Sequence, residues 1–135
     1  MRILDRVQPL GLLVLRVVLG VIMTVHGKQK VFGGMAKHIA FVHSLGMPGS
    51  LAYFSAGAEF IGGLLLIIGL LTRLASLLVL INLLVAIFTV TLHRGLIGPG
   101  GTELPLALGT MAFALIWFGG GPISVDWLFG GKGGS

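Results

Sequence analysis

The sequence predicts an all-α fold, a four-helix transmembrane bundle with a short interfacial amphipathic helix between helices one and two. Three observations carry that reading. Residues of the hydrophobic set make up 56% of the chain and charged residues only 10%, with a mean hydropathy of +1.07, far from the composition of an ordinary water-soluble domain. A hydrocarbon core of roughly 30 Å takes about 20 apolar residues per helical crossing, so 135 residues hold four crossings and short connections. The third observation is the 23 glycines, which membrane helices use as small surfaces where backbones approach closely. The whole chain, 1–135, reads as a single membrane domain.

Helix one is expected over about 9–30, with Pro9 in the first turn, where its missing N–H goes unused. The start, Met1 to Arg6, resembles the basic region of a signal peptide. The apolar run that follows contains Arg16 and lacks a small-x-small cleavage pattern, so it is kept as a membrane helix. Gly33-Gly34 breaks it. Over 35–45 the apolar residues Met35, Ile39, Val42 and Leu45 recur at helical spacing while Lys37, His38 and Ser44 lie elsewhere, a pattern for a short helix in the interface. After the turn cluster Gly46 to Gly49, helix two is expected over about 50–71, packing through Ser55, Glu59, Gly62 and Gly63. A tight turn at Thr72-Arg73 leads into helix three, about 73–93, antiparallel beside it. A Gly/Pro-rich connection precedes helix four, about 103–119. The tail Ser124 to Phe129 carries aromatic residues suited to a membrane interface, and 130–135 reads as frayed.

The net charge of +5 and a pI near 10.5 do not point to nucleic acid, because the basic residues are scattered over helix ends and connections. Anionic lipid headgroups account for them better. Basic residues tie across the two membrane faces, Arg2, Arg6, Arg73 and Lys132 against Lys28, Lys30, Lys37 and Arg94. The two arginines flanking helix one favour cytoplasmic termini. With no cysteine in the chain, no disulfide and no cysteine-ligated metal or iron–sulfur cluster is expected.

Charge inside the membrane is costly and marks candidate sites. Arg16 lies near mid-membrane, ~18 Å in from Lys28 at about 1.5 Å per residue, and Glu59 lies ~13 Å in from Ser50. Those depths predict an Arg16–Glu59 ion pair. His26, Lys30 and Glu103 are placed at one membrane face above it, so the five residues make a proposed path for protons or a polar ligand. A structural clasp is the competing reading. Asn82 is expected on one face with Thr89 and His93, as a secondary polar position making an interhelical hydrogen bond. No paired His/carboxylate spacing suggests a metal, and no catalytic residue is assigned.

Five segments in order carry a family resemblance: Leu15-Arg-Val-Val-Leu-Gly20, His26-Gly-Lys-Gln-Lys30-Val-Phe-Gly33, Glu59-Phe-Ile-Gly-Gly63, Gly69-Leu-Leu-Thr-Arg73 and Glu103-Leu-Pro-Leu-Ala107. Together they resemble the DoxX family of small membrane proteins. The resemblance implies a four-helix membrane bundle and kinship with the membrane subunit of a thiosulfate:quinone oxidoreductase. From it follow two expectations: a quinone-linked redox membrane subunit, taking menaquinone or ubiquinone and working with a soluble or membrane redox protein, or a non-catalytic accessory subunit of a larger membrane complex.

Overall fold

The computed structural model describes residues 2–98 and 100–130. Every regular element among them is helical. A first short helix, α1 (Arg2–Arg6), is separated by Val7 from α2 (Gln8–Gln29), which has Pro9 in its first turn. A wide turn over Lys30–Gly34 follows, in which Phe32 and Gly33 leave helical geometry, Gly33 at φ 129°. The chain then continues, past this kink, into α3 (Met35–Ser44). The remaining elements are α4 (Leu51–Ile68), α5 (Thr72–Thr89), a 3₁₀ turn (Thr91–Arg94), α6 (Glu103–Phe118) and α7 (Val125–Gly130). Lys132 and the predicted fraying of the last residues lie outside the described residues.

Four long helices form the bundle. α2 packs most extensively on α4, α5 bridges α4 and α6, α6 closes on α2 through a slighter contact, and α3 lies against α4. The core comprises Leu19, Met23, Leu66, Ala75, Val79, Leu83, Leu108, Ala112 and Leu115. Outward-facing Val14, Val21, Ile61, Leu74 and Ile81 stay exposed, as lipid-facing side chains do. The helices α2, α4 and α5 are long and apolar enough to cross a membrane. The 16 residues of α6 reach ~24 Å at about 1.5 Å per residue, and a short apolar helix is accommodated by local thinning of the bilayer. This is a multi-pass membrane protein.

Glycine sets the register of α2 against α4. A Cβ on Gly27 would sit 2.6 Å from the Phe60 Cα, and one on Gly20 would sit 2.7 Å from the Gly63 carbonyl oxygen. Both glycines are buried, and the two backbones touch there. The neighbouring Gly62 faces the other way, toward Val79 of α5, so the Gly62-Gly63 pair serves two helices at once.

Two predicted boundaries shift. Helix two ends at Ile68 rather than near 71, because Gly69 takes the left-handed conformation (φ 76°) and the N–H groups of Gly69 and Leu70 both donate to the Leu65 carbonyl. The tight turn is therefore Gly69 to Leu71, and Thr72 already belongs to α5. Helix three ends at Thr89, where Val90 leaves helical geometry (φ −124°). The following 3₁₀ turn carries His93 away from the face it was expected to share with Asn82, and its side chain is exposed.

Candidate functional site

Glu59 is buried, with 6% of its surface exposed, two turns into α4 where that helix crosses the end of α2. Lys30 caps the C-terminus of α2, a position whose helix dipole favours a cation. Its Nζ lies 2.5 Å from Glu59 Oε1. The Asn82 amide of α5 donates to the same oxygen at 3.0 Å. One turn before Glu59, Ser55 Oγ donates to Asn82 Oδ1 at 2.6 Å, which fixes the amide with its NH₂ toward the carboxylate. Three helices thus converge on one carboxylate oxygen. The other, Oε2, is buried and has no hydrogen-bond partner among the described residues, an unusual state for a buried polar atom.

Cavities lie on both sides of this cluster. The larger, of about 310 Å³, is walled by α3, α4 and α5; Phe41, Leu45, Phe54 and Val85 make its apolar body, and Lys30, His38, Ser55, Glu59 and Asn82 its polar end. The smaller, about 180 Å³, is lined by Met23, His26, Glu59, Asn82, Leu108 and other residues of α2, α5 and α6. Within low-dielectric walls a charge pair interacts far more strongly than in water, so an occupant of either cavity meets a concentrated field.

The predicted Arg16–Glu59 pair does not form. The buried Arg16 guanidinium donates through Nη1 to the Gly120 carbonyl at 2.6 Å, at the opposite end of the bundle. There Gly69 makes room for it, since a Cβ would sit 2.9 Å from Arg16 Cζ. The depth argument placed Ser50 level with Lys28. The Gly27–Phe60 and Gly20–Gly63 contacts slide α4 so that Glu59 is level with the end of α2 and Arg16 is far below. The Asp126 carboxylate, which attracts the guanidinium, also accepts from the N–H groups of Leu71 at 2.6 Å and Thr72 at 2.9 Å. It thereby caps α5 from across the chain.

Of the other sequence-predicted residues, Lys30 joins Glu59 directly and His26 lines the smaller cavity from an exposed position, its Nδ1 bonded to the Ile22 carbonyl at 2.8 Å. Asn82, expected as a secondary position, contacts the carboxylate itself. Glu103, exposed at the first position of α6, lines a surface groove with Thr91, Leu104 and Pro105 and touches neither Arg16 nor Glu59. His93 lines no cavity described here. His38 is the residue sequence reasoning misplaced. Assigned to the polar face of the interfacial helix, it instead lines the larger cavity, and its buried Nε2 has no hydrogen-bond partner among the described residues. The signal was present: positions 35, 38, 42 and 45 advance by three and four residues, so His38 shares the apolar face. Among the described residues no group of three or more His, Asp or Glu is placed to hold a metal ion.

The DoxX family model matches residues 11–92, more than half of the chain and a span that includes Arg16, His26, Lys30, His38, Ser55, Glu59 and Asn82. The chain belongs to the DoxX family. It is 39% identical over 106 residues to a Bacillus subtilis (strain 168) protein named "Putative oxidoreductase CatD", with 78% of each chain covered. No solved structure matches. The matched span of this DoxX protein holds the whole Glu59 cluster, whereas Gly120, which accepts from Arg16, and Asp126, whose charge attracts it, fall beyond it.

Proposed function

We propose that this DoxX-family protein is a quinone-linked redox membrane subunit and that the larger cavity is its ligand chamber. The observation that carries the reading is the apolar chamber ending in a half-buried ion pair, with two buried polar atoms, Glu59 Oε2 and His38 Nε2, that have no hydrogen-bond partner among the described residues. The residues fit a menaquinone or ubiquinone headgroup. Quinone carbonyls take hydrogen bonds from donors such as Lys30 and His38, the hydroxyls of the reduced form need an acceptor such as Glu59 Oε2, and an isoprenoid tail needs an apolar exit. A bound quinone would supply the two-electron chemistry. The chain's own residues orient the headgroup, exclude water and hold a proton at Glu59. The electrons come from a partner redox protein, which accords with a relative named as an oxidoreductase. We place the protein in a prokaryotic plasma membrane with cytoplasmic termini. Single cysteines introduced at Gln8 and Ile97 test this by their reactivity with a membrane-impermeant maleimide in intact cells.

Equilibrium binding of a menaquinone analogue to protein in lipid nanodiscs tests the chamber. Binding weakens at least tenfold in Glu59→Gln and in Asn82→Leu, and stays unchanged in His93→Ala. Unaltered binding in folded Glu59 and Asn82 variants removes the assignment. An accessory-subunit reading draws on a different feature, the shallow apolar groove of Val7, Leu10, Gly11, Val14, Val18 and Met111 between α2 and α6. A stoichiometric partner recovered in mild detergent with no bound quinone decides for that reading.

A further inference from the structure

We infer that Glu59 is the turning point of a proton path that enters from the His26 side through the smaller cavity and discharges into the larger one. The inference rests on the larger cavity being the ligand chamber, and its starting point is a topological fact. Glu59 and Asn82 line both cavities, so the carboxylate stands in the wall between them. Its Oε1 is committed to Lys30 and Asn82. Its Oε2, in a side chain only 7% exposed, is left without a partner among the described residues and is the atom free to bind a proton.

The geometry of His26 gives the path its other end. A carbonyl oxygen only accepts, so the 2.8 Å contact to Ile22 places the ring hydrogen on Nδ1 and leaves Nε2 to take up and release a proton. His26 is exposed at the surface yet lines the smaller cavity. That cavity, about 180 Å³, exceeds the ~30 Å³ share of one water several-fold and offers the polar partners that buried water needs, in His26, Glu59 and Asn82. Leu104 and Pro105 line it too, and they also line the surface groove that holds Glu103. An exposed acid therefore lines the groove that shares these two wall residues with the cavity, and the path takes that groove as its mouth.

Charged and titratable groups face Glu59 from each neighbour: Lys30 and His26 from α2, and His38 from α3. Asn82 is the polar group from α5, and Glu103, at the start of α6, stands off at the mouth. Lys30 lines the larger cavity, so positive charge lies on the discharge side. A proton passes from the surface to His26 Nε2, then through cavity water to Glu59 Oε2. On release into the chamber it restores the carboxylate and the Lys30 ion pair. No electron moves in this relay, and each proton that enters leaves on the other side.

The test is time-resolved infrared spectroscopy of the protein in nanodiscs after a jump to acid. The signal is conversion of the Glu59 carboxylate to the carboxyl, identified by its loss in Glu59→Gln. His26→Phe and Leu104→Trp, both at exposed positions, slow that conversion at least tenfold. Val85→Trp, which obstructs only the larger cavity, leaves it within twofold. Slowing by Val85→Trp, no slowing by either of the other two variants, or no protonation of Glu59 before the bundle unfolds each overturns the path. Binding of the menaquinone analogue is measured on the same samples without acid. Absence of that binding in the unsubstituted protein, with the His26 dependence intact, removes the quinone reading and leaves the path standing.

Discussion

The two ends of the bundle each engage a cationic side chain, and they treat it in opposite ways. Around Arg16 the protein is filled. Gly69 and Gly120 admit the guanidinium and Thr72 by having no Cβ, a Cβ on Gly120 would lie 2.8 Å from Thr72 Oγ1, and the acceptor is a backbone carbonyl. Around Lys30 the acceptor is a carboxylate, and space remains on both sides of it. Charge embedded in close packing holds segments together. Charge bordered by cavities can meet a ligand.

Substitutions sharpen that contrast. The largest effect belongs to Gly69→Val. Its φ of 76° is hostile to a branched side chain and its Cβ would lie 2.5 Å from that of Ser124, so backbone strain and overpacking together cost about 3 kcal/mol or more. Thermal unfolding in detergent measures the loss, while quinone-analogue affinity stays within twofold. Next comes Lys30→Met, which strands a buried carboxylate and costs about 3 kcal/mol. Glu59→Gln is milder because Lys30, with 27% of its side chain exposed, can reach the membrane surface. The same unfolding assay ranks the pair, and a reversed ranking breaks the distinction drawn at this end.

Asp126→Ala removes the cap on α5 and costs about 1 kcal/mol, with faster amide hydrogen exchange at Leu71 and Thr72 and unchanged binding. Smallest is Ser55→Ala, worth about 0.6 kcal/mol as an interhelical hydrogen bond in a membrane. It frees the Asn82 amide to rotate, so analogue affinity falls about threefold. A Ser55→Ala protein that loses stability but no affinity would align this end with the Arg16 end.

Hydropathy made the bundle legible, and α2 and α6 begin and end within a residue of the sequence expectation, because Pro9 and the Gly119 break act locally. The end of α4 was not, because Gly69 looks like any other glycine of an apolar run until its left-handed cap is seen. The site was half legible. Glu59 was named from its cost in lipid, and Lys30 and His26 from their place at the membrane face above it, but the partners were exchanged. Depth counted from helix termini assumes that all helices begin at one level, and glycine-mediated close contacts decide the level instead. Asn82 was assigned an interhelical bond whose partners could not be named, since side-chain pairing across three helices depends on their rotation. His38 was overlooked because a polar residue on an apolar face was read as belonging to the opposite face.

The Arg16–Gly120 contact spans 104 positions of sequence. During synthesis, the first membrane helix emerges long before the carbonyl that will receive its guanidinium. Until α6 has been threaded into the bilayer, Arg16 must borrow water or lipid phosphate, even though α2 already has α4 to pack on. A ribosome stalled before Gly120 would therefore carry helices held together by their glycine contacts, with one buried charge still waiting for its acceptor.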